Sequence, residues 1–295
     1  MGEQLRAAVV AFEMVLNDAI GDAAAGDDAF KTEIGAAVRA ELLPYVLMSH
    51  HAERWYAKPR GYAGDYLSIA QVYQDQARGT GRLGAALDRG FLEVQAARAV
   101  KNRRGLLAKE IHATVAAAGG HPARVTSLAC GPAQEVCDVF LTLPTPAALR
   151  VTLLDNDAEA LTYAKAMLGD SVSDQVTLVE ENLVRLAAGR RPIPATDQDL
   201  IYSIGLIDYF PDRFVISLMD AAHRMLRPGG RLILGNFHPR NASKALMDHV
   251  LDWRLIHRTE ADLDRLYSAS AFGRPATRML YEPQRINLFA ECVKT

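Results

Sequence analysis

The sequence predicts an α/β protein: a mostly parallel sheet covered by helices on both faces, with an all-helical region before it and an antiparallel hairpin at the end. From about residue 1 to 117, apolar residues recur at helical spacing, with almost no alternating or β-branched run. After Gly119-Gly120, strand-like runs alternate with helical stretches, a pattern typical of a parallel sheet. We therefore divide the chain into a helical cap, residues 1–117, and a Rossmann-like sheet domain, residues 118–295.

One segment interrupts the helical region. Trp55–Tyr66 is rich in aromatic residues and glycine, and both Pro59 and Gly61 oppose a continuous helix. We expect a loop of unusual composition here.

The elements of the sheet domain follow from the same alternation. Strands are predicted at 124–129, 150–154, 175–179, 199–203 and 231–237, with helices at 133–141, 157–168 and 212–225. The turn Arg227–Gly230 leads into the fifth strand. Helices are then expected near 242–253 and 260–268, and two last strands, 278–281 and 285–292, are close enough to pair as an antiparallel hairpin.

Composition excludes several classes of protein. The 295 residues carry 33 Lys and Arg against 35 Asp and Glu, which argues against a nucleic-acid partner held by a basic face. The longest apolar runs are strand-sized, well short of the roughly 20 residues that cross a bilayer, and the N-terminus has no signal-peptide pattern. We expect a cytoplasmic protein with no membrane partner. Its three scattered cysteines have neither disulfide nor metal-ligand spacing.

Ligands of such sheets bind beyond the carboxyl ends of the strands, so the residues that follow each strand are the first candidates for a binding site. After the first strand, Gly131 lets the backbone approach a ligand closely, and the next helix presents free N–H groups. Ala129 and Ala133 flank it, so the three-glycine dinucleotide fingerprint is absent, as is a Walker loop.

Asp155 ends the second strand, where a carboxylate can accept hydrogen bonds from the two hydroxyls of a ribose. Asn156 and Glu159 have the spacing of a capping box. Asn182, after the third strand, could bond an adenine edge. The residues that we assign to the cofactor site all follow these strands: Ala129, Gly131, Pro132, Glu135, Asp155, Asn156, Asn182, Leu183, Ser203 and Gly205.

Together these motifs resemble those of the class I S-adenosylmethionine-dependent methyltransferases, over roughly residues 105–293. Cys130–Pro132 is similar to their glycine-containing first motif, Asp155 to their ribose-binding acid, Glu181-Asn182 to their adenine-side motif, and Leu226–Leu234 to their turn into the fifth strand. The first motif has one glycine where that family often has two or three. The resemblance implies S-adenosylmethionine as the cofactor and S-adenosylhomocysteine as the product.

A narrower resemblance lies in the helical region. Lys58–Tyr66 is similar to a signature of bacterial proteins identified as extracellular-factor (3-hydroxypalmitic acid methyl ester) biosynthesis methyltransferases. This resemblance implies a small-molecule acceptor, the carboxyl group of a hydroxy fatty acid, in bacterial secondary or signalling metabolism.

Methyl transfer needs alignment and, for a protonated acceptor, a base, whereas a carboxylate acceptor needs a cation instead. The side chains that we predict to be catalytic are His51, Tyr66, Tyr209 and His238. Those that we predict to bind the acceptor, beneath the closed helical cap, are Tyr56, Arg60, Tyr62, Asp65, Asp208 and Arg240. No metal-ligand spacing is visible, so we predict a metal-independent reaction.

Several alternatives stay open at this point. The acceptor can be an aromatic or heteroaromatic ring, such as an indole or phenol methylated on C, N or O, in place of a carboxylate. A non-catalytic protein of the same fold could bind a nucleoside or a partner. An NAD-dependent oxidoreductase is disfavoured by the missing Gly-x-Gly-x-x-Gly run. The oligomeric state is open, and a homodimer is one option.

Overall fold

The computed structural model describes residues 2–22, 24, 26–190 and 195–295. The chain forms two compact units. The helical unit comprises Met1–Lys101 and Pro239–Leu255, and the sheet unit comprises Asn102–His238 and Ile256–Thr295. The division at residue 117 that the sequence suggests coincides with the end of a long helix, of which the structure assigns all but the first turns to the sheet unit.

The predicted helical region is confirmed. Its helices are α1 (Gly2–Ile20), α2 (Asp28–Val46), α3 (His50–Ala57), α4 (Tyr66–Gln74), α5 (Gly81–Phe91) and α6 (Gln95–Ala117), which continues into the sheet unit. Asp27, Ser49 and Asp65 start three of them by accepting hydrogen bonds from backbone N–H groups of the first turn. The predicted loop is shorter than expected, because Trp55 still belongs to α3. Among the residues described, no helix is long and apolar enough to cross a lipid bilayer.

The prediction of an α-helix at 242–253 is wrong. The structure forms only a short π-helical turn, Leu246–Val250, in which the N–H of Leu251 bonds the carbonyl of Leu246 five residues back. Asp252 then takes a left-handed φ of 50°, which ends the turn.

The sheet unit contains the predicted doubly wound sheet. Its strands are β1 (Ala123–Leu128), β2 (Leu149–Asp155), β3 (Val176–Glu180), β4 (Gln198–Ser203), β5 (Leu226–Phe237), β6 (Arg278–Tyr281) and β7 (Asn287–Val293). Its further helices are α7 (Gln134–Thr142), α8 (Ala158–Leu168), α9 (Leu183–Ala187), α10 (Asp212–Met225) and α11 (Glu260–Ala269). The strand order is β3-β2-β1-β4-β5-β7-β6, with β1 to β5 parallel and β7 antiparallel to both its neighbours. The prediction of a parallel sheet with a C-terminal antiparallel pair is therefore confirmed.

Both faces of the sheet are covered, so most residues of the central strands β1 and β4 are buried. One face of the sheet packs against α6, α7 and α8 through residues such as Leu107, Ile111 and Val136. The other face packs against α10 and α11, where Leu218 and Leu266 are buried. The predicted turn Arg227–Gly230 lies within β5 as a bulge: Leu226 pairs with Gln198, and pairing resumes only at Arg231 with Leu200.

Candidate functional site

The carboxyl ends of four parallel strands lie side by side in the sheet unit. Leu128 of β1 pairs with Leu154 of β2, Ser127 pairs with Tyr202 of β4, and Ser203 pairs with Leu234 of β5. The segments that follow these strands therefore converge at one edge of the sheet. That edge is where the fold places a ligand.

In the loop after β1, three residues have the left-handed backbone conformation that favours glycine, although only one of them is a glycine. Ala129, Gly131 and Ala133 all have left-handed φ values, of 51°, 53° and 47°. An L-residue with a Cβ pays roughly 1–2 kcal/mol for this conformation. The two alanines therefore store strain in the loop between β1 and α7.

This strain gives a testable difference between two buried alanines. Ala133→Gly should change the free energy of unfolding by less than about 1 kcal/mol, because relief of strain offsets the lost methyl group and the added backbone entropy. Ala164→Gly, at an equally buried site inside α8, should cost roughly 1–2 kcal/mol. Urea unfolding of both variants measures the difference, and equal costs would contradict the strain.

Asp155 joins the end of β2 to this loop. Its buried carboxylate accepts hydrogen bonds from the N–H of Gly131 at 2.9 Å through Oδ2 and from the N–H of Asp157 at 3.0 Å through Oδ1. Burial raises the pKa of Asp155, against the effect of these backbone hydrogen bonds. Since a carboxylate has about four acceptor positions, each oxygen keeps capacity for one further donor.

The other residues predicted at these strand ends have varied surroundings. The capping box predicted at Asn156 is wrong: Asp157 is the N-cap of α8, and Asn156 is exposed. Asn182 caps α9, because its Oδ1 accepts the N–H groups of Val184 and Arg185, and this leaves its amide NH₂ as the donor for a ligand. Leu183, beside it, is buried.

Three further residues of the predicted cofactor site are buried: Glu135, Pro132 and Ser203. Glu135 is buried on α7, and its Oε1 accepts the hydroxyl of Tyr202 on β4 at 2.7 Å. Burial raises the pKa of Glu135, although this hydrogen bond opposes the effect. Ser203 donates its hydroxyl to the carbonyl of Leu128, which ties β4 to β1. Pro132 is buried in the strained loop.

Asp208, in the segment after β4, is a buried carboxyl at the same edge. Its Oδ1 accepts the N–H of Phe237 at the end of β5, at 2.7 Å. Burial raises its pKa to about 6, although the Phe237 hydrogen bond and the charges of Arg103 and Arg258 lower it. Tyr209 follows in the same turn and is half-buried. An acid with such a pKa can exchange a proton near neutral pH.

The raised pKa of Asp208 predicts a pH-dependent effect on stability. Because the folded pKa lies above the ordinary 3.8, the stability that the protonated group contributes is complete below about pH 4 and is lost as the pH rises through 6. Asp208→Asn should therefore stabilise the fold relative to wild type increasingly from pH 4 to 7, by at least about 1 kcal/mol at pH 7.

Urea unfolding between pH 4.5 and 7.5 measures this trend. Asp212 is a useful control: burial raises its pKa, but hydrogen bonds from Arg258 and Arg265 together outweigh this and lower it. Because Asp212 is then ionised in both the folded and the unfolded state above about pH 4.5, Asp212→Asn should destabilise the fold by nearly the same amount across this range. A pH-independent difference between wild type and Asp208→Asn would contradict the assignment.

His238, directly after β5, contacts Glu260, and Glu260 in turn contacts Tyr281; the sequence indicated neither contact. Its Nε2 donates to Oε2 of Glu260 at 3.1 Å, and the hydroxyl of Tyr281 donates to Oε1 of the same carboxylate at 2.7 Å. Burial disfavours ionisation of Glu260, yet hydrogen bonds from Tyr281 and His238 help to hold its pKa at about 2. Because Nε2 donates to Glu260, Nδ1 is the ring nitrogen left to accept a proton, which is the arrangement of a base oriented by an acid.

Sequence reasoning also missed Arg103, a buried arginine of α6 near the end of β4. Its Nη1 lies 3.0 Å from the position that a Cβ on Gly205 would occupy. The available signal was its place on the apolar stripe of α6, four residues before Leu107 and eight before Ile111. A charged residue on such a stripe is buried only with a structural or functional reason.

In the helical unit, His51 is almost fully buried on α3. Its Nε2 lies 2.9 Å from the carbonyl of Gln76 and must donate, since a carbonyl can only accept. Its Nδ1 has no hydrogen-bond partner among the described residues. Burial lowers its pKa, so the ring is neutral at pH 7. Its ring lies 6.0 Å from that of Trp55.

The remaining predicted residues of the helical unit differ in exposure. Asp65 is fully buried as the N-cap of α4 and pairs with Arg54 at 2.7 Å, so its carboxylate serves the fold. The guanidinium of Arg60 lies over the ring of Tyr66, 5.0 Å from its centre. Tyr56 is half-buried, whereas Tyr62 and Arg240 are exposed.

The chain is similar to known proteins in family and in fold. Residues 61–280 match the family described as "Putative methyltransferase". Compared with curated proteins, the sequence has no significant match.

Among solved structures, a Bordetella parapertussis protein reported as a possible exported protein has a TM-score of 0.67 at 19% identity, over 100% of this chain and 97% of that one. Magnesium protoporphyrin IX methyltransferase of Synechocystis PCC 6803, with bound SAH, has a TM-score of 0.54 at 14% identity, over 88% and 99%. The CurJ carbon methyltransferase has a TM-score of 0.56 at 13% identity, over 90% and 71%. At these identities the structures establish a shared fold.

Proposed function

The chain belongs to this methyltransferase family, and we propose that it transfers a methyl group from S-adenosylmethionine to a small-molecule acceptor. The observation that carries the proposal is the pairing of Asp155 with Gly131 at the ends of β1 and β2. This pairing joins a buried carboxylate to the half-buried Gly131 at the carboxyl ends of β1 and β2.

The donors and acceptors at this edge fit an adenosyl group. Asp155 retains acceptor capacity on both oxygens for the two ribose hydroxyls. Asn182 retains its amide NH₂ for a ring nitrogen of adenine, and Leu183 offers an apolar surface next to it. Both halves of the nucleoside therefore find groups of the right chemistry at neighbouring strand ends.

His238 and Glu260 favour an acceptor that must lose a proton. When bound, S-adenosylmethionine supplies an electrophilic methyl carbon on a positively charged sulfur. His238 would take the proton of an oxygen or nitrogen acceptor as that atom is methylated. Glu260 stabilises the imidazolium that results. A carboxylate acceptor is already deprotonated and needs no base, so we favour a phenol, an indole nitrogen or a related group as the acceptor.

The proposal is tested by following transfer of a labelled methyl group from S-adenosylmethionine. The purified protein is incubated with two acceptor panels, one of phenols and indoles and one of hydroxy fatty acids. We expect label in the first panel. Label only in the second would replace the acceptor class, and cofactor binding without transfer to any acceptor would favour a non-catalytic binding protein.

Other features of the proposal rest on the sequence alone. The extracellular-factor family, the cytoplasmic location, the setting in bacterial secondary or signalling metabolism and the oligomeric state stay predictions. The predicted roles of single side chains also stay predictions: acceptor binding for Tyr56, Arg60, Tyr62, Asp208 and Arg240, and catalysis for His51, Tyr66 and Tyr209. We leave Asp65 out of the proposed acceptor site, because its carboxylate is used as a helix cap.

A further inference from the structure

Arg103 of α6 is a buried cation that pairs directly with no carboxylate of the described residues. Only 6% of its surface is exposed. Within the described part of the chain, its Nε has no hydrogen-bond partner. Burying a charged group without partners costs several kcal/mol, so such a group is retained only where something compensates it.

Two carboxyl groups interact electrostatically with Arg103, but both form their hydrogen bonds with other groups. Glu135 and Asp208 are both influenced electrostatically by Arg103. The hydrogen bonds that the structure shows to them come from Tyr202 and from the backbone of Phe237. Arg103 therefore contributes to the field at this edge of the sheet without being consumed in an ion pair with either acid.

Gly205 provides the space in which the guanidinium lies. A Cβ at this position would come within 3.0 Å of Nη1, 3.4 Å of Nη2 and 3.5 Å of Cζ of Arg103. Gly205 follows β4, so the guanidinium lies at the carboxyl end of that strand. The missing side chain at 205 and the missing partner at 103 are separate observations, and both indicate a guanidinium positioned to receive a ligand.

We infer that Arg103 is a carboxylate-binding residue, whose partner is the α-carboxylate of the cofactor's amino-acid portion. A planar guanidinium forms two parallel hydrogen bonds with a carboxylate, which suits a buried site better than a single point charge. An acidic acceptor could supply the same carboxylate chemistry. The inference rests on the proposed function, because it assigns a further contact in the same site.

The test compares S-adenosylmethionine with its decarboxylated form, which lacks only this group, by calorimetric titration. Wild type should bind the intact cofactor at least 10-fold more tightly. Arg103→Met should lose about 10- to 100-fold in affinity for the intact cofactor and less than 3-fold for the decarboxylated one. Its melting temperature should stay equal to that of wild type or rise, because an uncompensated buried charge is removed.

Gly205→Ala is a second, independent variant. The new methyl group meets the movable end of Arg103, so the fold should survive while the guanidinium shifts and selectivity for the intact cofactor falls. Arg104→Met is the matched control: it removes the neighbouring arginine, which already pairs with Asp138, and should leave both affinities unchanged.

The outcomes distinguish a carboxylate of the cofactor from one of the acceptor. They also distinguish a failure of this inference from a failure of the proposed function. Unchanged cofactor affinity in Arg103→Met, with a raised KM for acidic acceptors alone, would move the carboxylate to the acceptor. Equal losses for both cofactor forms, or no change in any affinity, would overturn the inference. A wild-type protein that binds neither cofactor form would instead contradict the proposed function itself.

Discussion

Replacing Asp155 by alanine should weaken the binding of S-adenosylmethionine by about 10- to 150-fold, equivalent to about 1.5–3 kcal/mol. The variant removes both acceptor oxygens proposed for the ribose hydroxyls. It also releases the N–H of Gly131, so the strained loop after β1 loses its tie to β2. Calorimetric titration with S-adenosylhomocysteine gives the same comparison without turnover.

A matched control separates this loss from a general effect of removing a charge. Asp174 is an exposed acid in the turn before β3, and Asp174→Ala should leave cofactor affinity unchanged. Asp155→Asn keeps the shape of the side chain and one acceptor oxygen, so its loss should be smaller than that of alanine. Full cofactor affinity in Asp155→Ala would show that the nucleoside is bound elsewhere.

Replacing His238 by asparagine should lower kcat by about 10²- to 10³-fold, the usual contribution of a general base, with little change in the KM of either substrate. Asparagine cannot accept a proton, and its amide nitrogen, which takes the place of Nδ1, does not reach Glu260 as Nε2 does. The measurement uses the best acceptor from the labelled-methyl assay, between pH 5 and 9.

Glu260→Gln tests the orientation of the base. Loss of the carboxylate should lower kcat by about 10-fold and leave KM unchanged, since Glu260 acts through His238. His112→Asn, far along α6, is the control and should retain full activity. If His238→Asn keeps wild-type kcat and the same pH profile, the acceptor needs no base, and a carboxylate acceptor becomes the better account.

The alternation of strand-like runs with helical stretches was enough to predict the sheet, whose strands β1, β2 and β4 are largely buried. The same argument placed Gly131 and Asp155 at one edge, since parallel strands end together. Local signals were weaker guides. Asn156 and Glu159 have the spacing of a capping box, yet Asp157 is the residue that caps α8.

Long-range partners could not be predicted from the sequence. Glu260 lies 22 residues beyond His238, and nothing in its surroundings indicates which basic group it meets. Arg103 is 102 residues from Gly205, and only the fold brings its guanidinium to that glycine. The left-handed conformation of Ala129 and Ala133 could not be predicted from the sequence either, because the path of the chain between β1 and α7 imposes it.

The central claim is that the strand ends around Gly131 and Asp155 bind an adenosyl sulfonium cofactor. The most direct test is calorimetric titration of the wild-type protein with S-adenosylmethionine, with S-adenosylhomocysteine and, as a control, with NAD. The account predicts one site per chain with micromolar affinity for the first two ligands and no heat of binding with NAD. Binding of NAD alone, or of none of the three, would contradict it.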